Sequence, residues 1–127
     1  MICIDTSVLI DFYRKKNKKN SYFFELVSRN EKFAVSVITE YEIYIGSDAG
    51  KDEYWDIFFK DFISLPYDSI TNKLAVSIDR KLKSTRNQID VPDLMIAATA
   101  LKNNLPLAIL NVKHFKRIPE LQMITEV

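Results

Sequence analysis

The sequence predicts an α/β fold in which helices flank a mostly parallel central sheet. Short apolar segments alternate with amphipathic helical segments, which is typical of this class. Of the 127 residues, 47% are hydrophobic and 28% are charged, a globular composition. Asp5 and Asn111 directly follow two of the apolar segments. Because sites in parallel sheets form at the carboxyl ends of strands, we expect a site there.

The apolar segments predict five strands. These are Ile2–Asp5, Phe33–Ser36, Ile63–Leu65 (or an extended link), Leu107–Leu110 and an edge strand Met123–Thr125. Helices are predicted at Val8 to Lys15, Tyr22–Arg29, Val37–Ile45, Asp52–Phe62, Ser69–Lys83 and Asp90–Asn103. Thr6 and Ser7 are suitable caps for the first helix, and Pro92 is compatible with the first turn of the last. No linker rich in Pro, Gly or Ser interrupts the chain, so we expect one domain over residues 1–127.

The scarce residue types exclude several functional classes. A net charge of +1 excludes nucleic-acid binding by bulk charge. Two Gly, one Cys and one His exclude a Walker A loop, a disulfide and an H-E-x-x-H zinc motif. No apolar run is long enough to span a membrane and no signal peptide is present, so we expect a cytoplasmic protein. Any catalysis must rest mainly on carboxylates.

Three carboxylates lie where apolar residues are expected. Glu42 shares a helix face with apolar neighbours, Asp93 opens the apolar face of a later helix, and Asp5 ends a strand. Each also has a structural interpretation. Glu42 would lie at the edge of its stripe, Asp5 would cap a helix, and Asp93 would favour a helix start that is capped by Asp90.

A divalent cation would explain all three acids together. Clustered carboxylates repel one another, and their pKa values rise until some are protonated. Mg²⁺ and Mn²⁺ prefer oxygen ligands and remove this conflict. Such an ion polarises a phosphodiester, which predicts a metal-dependent nuclease or phosphatase.

Four segments, in order, resemble the PIN domain family, and most closely the VapC-type ribonuclease toxins of toxin–antitoxin operons. The segments are Ile2–Asp11, Ser36–Gly46, Val91–Leu101 and Leu105–Phe115. The resemblance implies a PIN-like fold, Mg²⁺-dependent endonucleolytic cleavage of RNA (with Mn²⁺ as the other candidate ion), a cognate antitoxin and a homodimer. The alternative is a PIN-like module that binds RNA or a partner without catalysis. A phospho-acceptor receiver domain is disfavoured because Asp5 is not one of a pair of acids.

The resemblance also implies roles for the acids. Asp5 and Asp93 would be the principal metal ligands, and Glu42 would complete the acidic pocket. Thr6 or Ser7 would orient Asp5 by hydrogen bonding.

The last block departs from the pattern of the resembled family, whose members often carry a fourth acid there. Asn111 and His114 occupy the candidate positions. Asn111 would ligate or hold a water, and His114 would contact RNA phosphate or act as an acid, or else be a surface histidine. Asp90 would supply the missing charge or cap its helix. Two-metal catalysis needs enough ligands for two ions. Because the fourth acid is missing here, we expect one tightly held ion.

Two groups of residues are candidates for contacts with RNA and with an antitoxin. A basic cluster of Arg80, Lys81, Lys83 and Arg86 precedes the third block, and Arg86 is the candidate RNA contact. Seven aromatics lie on two neighbouring helices: Tyr41, Tyr44, Tyr54, Trp55, Phe58, Phe59 and Phe62. Most would be core, and the others would line a groove for an antitoxin segment. The basic stretch from Arg14 to Lys19 is interpreted as a solvated helix end.

Overall fold

The computed structural model describes residues 1–29 and 32–126 and contains one parallel sheet with the strand order β3-β2-β1-β4-β5. The strands are β1 (Ile2–Ile4), β2 (Phe33–Ser36), β3 (Ile63–Leu65), β4 (Leu107–Ile109) and β5 (Met123–Thr125). Every neighbouring pair is parallel. The predicted α/β class with a parallel sheet is therefore confirmed, and the segment at 63–65 is a strand and not a link.

Helices connect and follow the strands. They are α1 (Thr6–Arg14), α2 (Tyr22–Arg29), α3 (Val37–Gly46), α4 (Asp52–Phe58), α5 (Ser69–Ser84), α6 (Val91–Lys102) and the short α7 (Val112–Phe115). Single 3-10 turns lie at Lys18–Asn20, Ala49–Lys51 and Phe59–Asp61. The helix predicted over 52–62 thus ends at Phe58 and continues as a 3-10 turn, and α7 was not predicted.

The start of α1 corrects a second expectation. Thr6 and Ser7 are the first helical residues and not the caps. Asp5 is the N-cap, and its Oδ2 accepts a hydrogen bond from the Ser7 backbone N–H at 3.1 Å. The short carboxylate satisfies a backbone donor that the helix itself leaves unpaired, so the acid at the end of β1 also begins α1.

Each face of the sheet carries its own hydrophobic layer. Ile2 and Ile4 of β1 pack into the layer that contains α1 and α2, whereas Cys3 packs into the layer of α5 and α6. This alternation follows from the two-residue period of a strand. Burial raises the pKa of the Cys3 thiol to about 12, as expected for a small residue of the core.

The three central strands direct three helix starts to the same edge of the sheet. α1 follows β1, α3 follows β2, and α7 follows β4 after two residues. Ser36 caps α3 by accepting a hydrogen bond from Ile38 N–H at 3.0 Å. The carboxyl edge of the sheet therefore collects side chains from distant parts of the sequence. Within the described ranges, no helix is both long and apolar enough to cross a bilayer.

Candidate active site

Asp5 lies buried at the carboxyl end of β1, with a relative exposure of 4%. Its two carboxylate oxygens have different surroundings. Oδ2 accepts hydrogen bonds from the Ser7 backbone N–H and from Ser7 Oγ at 2.6 Å. Oδ1 is buried and has no hydrogen-bond partner among the residues that the structure describes. One oxygen therefore serves the fold, and the other remains available for a ligand.

The pKa of Asp5 is raised to about 6, chiefly because burial removes the carboxylate from water. The hydrogen bonds from Ser7 lower this pKa, whereas the charges of Asp93 and Glu42 raise it. The three acids singled out in the sequence thus lie near enough for their charges to interact. A cation beside Asp5 would offset both the desolvation and the repulsion.

Ser7 links the ends of β1 and β4. Its hydroxyl donates to Asp5 Oδ2 and accepts a hydrogen bond from the Leu110 backbone N–H at 3.2 Å. The backbone of the last block therefore contacts Ser7, which in turn holds Asp5. This contact has no signature in the side-chain pattern.

Glu42 is held by a different hydroxyl. Thr6 Oγ1 donates to Glu42 Oε1 at 2.8 Å, and the Thr6 and Thr39 hydroxyls are hydrogen-bonded to each other at 3.1 Å. Of the two residues predicted to orient Asp5, Ser7 is hydrogen-bonded to Asp5, whereas Thr6 is hydrogen-bonded to Glu42. Thr39, which is buried, was not among the predicted site residues, although its position three residues before Glu42 places it on the same face of α3.

Asp93 lies in the first turn of α6 and contacts His114 of α7. His114 Nδ1 lies 2.8 Å from Asp93 Oδ2. The side chain of Asp93 is 26% exposed and that of His114 is 28% exposed. His114 is therefore not an isolated surface histidine beside Phe115.

Asp90 occupies the N-cap position of α6 but makes no side-chain cap hydrogen bond. This corrects the cap role favoured from the sequence. Its carboxylate instead joins Asp93 and His114 in a group whose possible ligand atoms all lie within 4.8 Å of one another. The missing cap bond leaves this carboxylate available to the site.

Asn111 and Arg86 are exposed, and within residues 1–29 and 32–126 no side-chain hydrogen bond or ion pair joins either of them to the three acids. Asn111 is the N-cap residue of α7 and makes no side-chain cap bond. Arg86 lies in the turn between α5 and α6 with a φ of 57°, in the left-handed region. In the same basic cluster, Lys81 pairs with Glu120 at 3.7 Å and Lys83 with Asp79 at 3.2 Å.

A groove of about 350 Å³ adjoins Glu42. Its lining combines Glu42 with apolar and cationic side chains, among them Ile10, Tyr13, Arg14, Lys51 and Trp55. Of the seven predicted aromatics, Trp55 is buried, Tyr41 and Tyr54 are exposed, and the other four are half-buried in the layer of α1 and α2. Trp55 is thus both a core residue and part of the groove wall.

The donor set fits an oxygen-preferring divalent cation. The buried Oδ1 of Asp5 lacks a partner, and Asp93 and Glu42 lie near it. Carboxylate oxygens are the ligands that Mg²⁺ and Mn²⁺ prefer.

Comparison with known proteins agrees with this geometry. A sequence model described as PIN domain matches residues 2–121. A protein named Ribonuclease VapC1 from Methanocaldococcus jannaschii is 36% identical, over 94% of this chain and 82% of its own length. Ribonuclease VapC from Rickettsia bellii is 33% identical, over 98% and 95%. The solved structure of VapBC-1 from nontypeable Haemophilus influenzae superposes with a TM-score of 0.85 at 27% identity, over 98% of both chains.

Proposed function

Because the chain belongs to the PIN domain family and, within it, to the VapC group, we propose that it is the toxin of a toxin–antitoxin pair and a Mg²⁺-dependent endoribonuclease. The observation that carries the metal dependence is Asp5. A buried carboxylate oxygen without a partner, beside two further acids, is costly to the fold unless a cation binds it.

The chain's own residues divide the work. Asp5 and Asp93 would hold the ion, with Asp5 Oδ1 free to do so because Ser7 fixes Asp5 through Oδ2. Glu42, oriented by Thr6, accepts a proton from the attacking water. When bound there, Mg²⁺ would supply Lewis acidity toward the phosphodiester. Asn111 immediately precedes α7, the helix that carries His114, and its exposed side-chain oxygen would hold a water.

One observation favours an alternative, a PIN-like module that binds RNA or a partner without turnover. The last block contributes His114 and no carboxylate, and the imidazole already bonds Asp93. In that case the acids would bind an ion without completing a catalytic arrangement.

Cleavage of total cellular RNA by the purified, antitoxin-free protein distinguishes these functions. We expect discrete fragments with Mg²⁺ or Mn²⁺ that disappear with EDTA and with Asp5→Asn. Asp61→Asn, an exposed acid outside the site, is the matched control and should cleave normally. Cleavage that survives EDTA would contradict the metal mechanism. A folded protein that binds RNA but leaves it intact would favour the alternative.

RNA reaches the acids along the basic cluster, with Arg86 as the phosphate contact. Arg86→Asn removes the cation while keeping a residue that tolerates the left-handed backbone. The variant should weaken RNA binding across sequences and reduce its salt dependence. An unchanged salt slope would contradict this role.

The antitoxin occupies the groove beside Glu42, so its binding and the nuclease site are adjacent. Gly46 lines this groove, and a Cβ added there meets no atom within 4 Å. Gly46→Phe should therefore fill the groove and weaken antitoxin binding while RNA cleavage persists. Gly50→Phe, equally free of close neighbours but outside the groove lining, is the control. Equal antitoxin affinity in both variants would contradict this placement.

The protein forms a homodimer. Tyr41 and Ile45 lie one turn apart on α3 and are 65% and 70% exposed, so an apolar strip is available for a second copy. Light scattering should give twice the mass of the chain, and a monomer at high concentration would contradict the dimer.

A further inference from the structure

We propose that His114 is a positioning residue for Asp93: its Nδ1–H holds Oδ2 and leaves Oδ1 as the oxygen that binds the metal. This inference rests on the proposed metal-dependent function and adds a role to a residue that contacts the ion only through another side chain. The observation behind it is the 2.8 Å separation of Nδ1 and Oδ2.

The chemistry of the two groups fixes the direction of the hydrogen bond. A carboxylate that ligates a metal is ionised and can only accept, so in the metal-binding form the His114 imidazole donates from Nδ1. The bond uses one carboxylate oxygen and restricts rotation of the other. A ligand that is oriented in advance costs less free energy to order when the ion binds.

Packing fixes both partners. Next to His114, Phe115 is 2% exposed and anchors α7 in the core. Next to Asp93, Leu94 is 6% exposed and anchors the start of α6. Because each side chain is adjacent to a buried anchor, the contact joins two fixed elements.

His114 orders Asp93 without adding negative charge to the site. A fourth acid would add repulsion to a pocket in which Asp93 and Glu42 already raise the pKa of Asp5. An imidazole that donates to Asp93 orders an existing acid and adds no negative charge.

The test compares three substitutions in the antitoxin-free protein. His114→Asn places an amide N–H near the position of Nδ1, His114→Gln places it further out, and His114→Leu removes the donor. Mn²⁺ affinity is measured from the EPR signal of the free ion. We expect His114→Gln and His114→Leu to weaken Mn²⁺ binding by about 10- to 100-fold, the usual effect of losing such a partner. His114→Asn should bind Mn²⁺ as tightly as the wild type.

Controls separate positioning from a general structural role. The melting temperature of each variant is measured, and Lys113→Leu, an exposed neighbour on α7, should bind Mn²⁺ normally. If His114 had a purely structural role, His114→Asn would bind Mn²⁺ as weakly as His114→Leu does, and that result would overturn the proposal. A directly coordinated imidazole nitrogen in pulsed EPR would overturn it too, because His114 would then be a ligand.

The outcomes distinguish this inference from the proposed function. If the wild-type protein binds no Mn²⁺, the metal-dependent function and the positioning role both fail. If the wild type binds Mn²⁺ and the Leu variant binds it equally well, only the positioning role fails.

Discussion

Asp5 has two roles whose energetic demands are opposed. Through Oδ2 it caps α1, which stabilises the fold, while its buried charge opposes folding in the absence of a cation. Because the folded-state pKa is raised, the neutral form favours folding. That contribution is complete below the ordinary value of 3.8 and is lost as the pH rises through about 6.

Asp5→Asn should therefore stabilise the metal-free protein at pH 8 but not at pH 3.5. The amide keeps a cap oxygen for Ser7 and removes a charge whose burial destabilises the fold by about 3 kcal/mol. The net gain is smaller than this, because the new amide N–H has no hydrogen-bond partner. Urea denaturation in EDTA at the two pH values measures the difference. A difference that does not change with pH would show that Asp5 keeps its ordinary pKa in the folded protein.

The sequence was informative about the site acids and uninformative about their partners. Asp5, Glu42 and Asp93 stand out because each carboxylate lies in an apolar pattern, and their charges do interact in the structure. Local spacing does not determine which hydroxyl bonds which acid. The contact from Thr6 to Glu42 spans 36 positions and depends on how α1 meets α3.

Side chains satisfy backbone groups at both ends of the helix α1. Asp5 caps its start, and Lys18 reaches back from the next turn to donate to the carbonyls of Phe12 and Tyr13 at 2.7 and 2.6 Å. A cation at a helix C-terminus also interacts favourably with the helix dipole. Lys18 is thus an exception within a basic stretch that the sequence indicated to be merely solvated.

Lys18→Met should destabilise the protein by about 1–2 kcal/mol, since two charge-assisted hydrogen bonds at a half-buried position are lost. Lys19→Met is the matched control, because Lys19 is exposed and adjacent. The free energy of unfolding of each variant is measured in urea. Equal values for the two variants would mean that the carbonyls are satisfied as well by water.

Elements could be predicted where their pattern was long or strongly apolar. The strand at Phe33–Ser36 and the helix at Tyr22–Arg29 match their predicted bounds. α7 was missed because four residues are too few to establish a helical period. Because α7 carries His114 to Asp93, the contact between them could not be predicted from the helical pattern.

At the scale of the whole molecule, one sheet separates two hydrophobic layers. Trp55, the single tryptophan, is 2% exposed and belongs to the layer of α1 and α2. The long helices α5 and α6 belong to the other layer. The two layers share every central strand, so they should be stable only together.

Thermal or urea unfolding should therefore follow one cooperative transition, as the one-domain prediction requires. Trp55 fluorescence reports one layer, and far-UV circular dichroism reports helices on both sides. The two curves should coincide. Separate midpoints would mean that the layers unfold independently, and would contradict a single domain.

The central position of β1 has a consequence for synthesis on the ribosome. Cys3 pairs with Leu107, so the first strand acquires its second neighbour only when nearly the whole chain has emerged. Ser7 likewise waits for Leu110, and Asp93 for His114. A nascent or prematurely terminated chain therefore lacks an assembled acidic pocket. The proposed nuclease activity should therefore appear only once residues as far as His114 have been made.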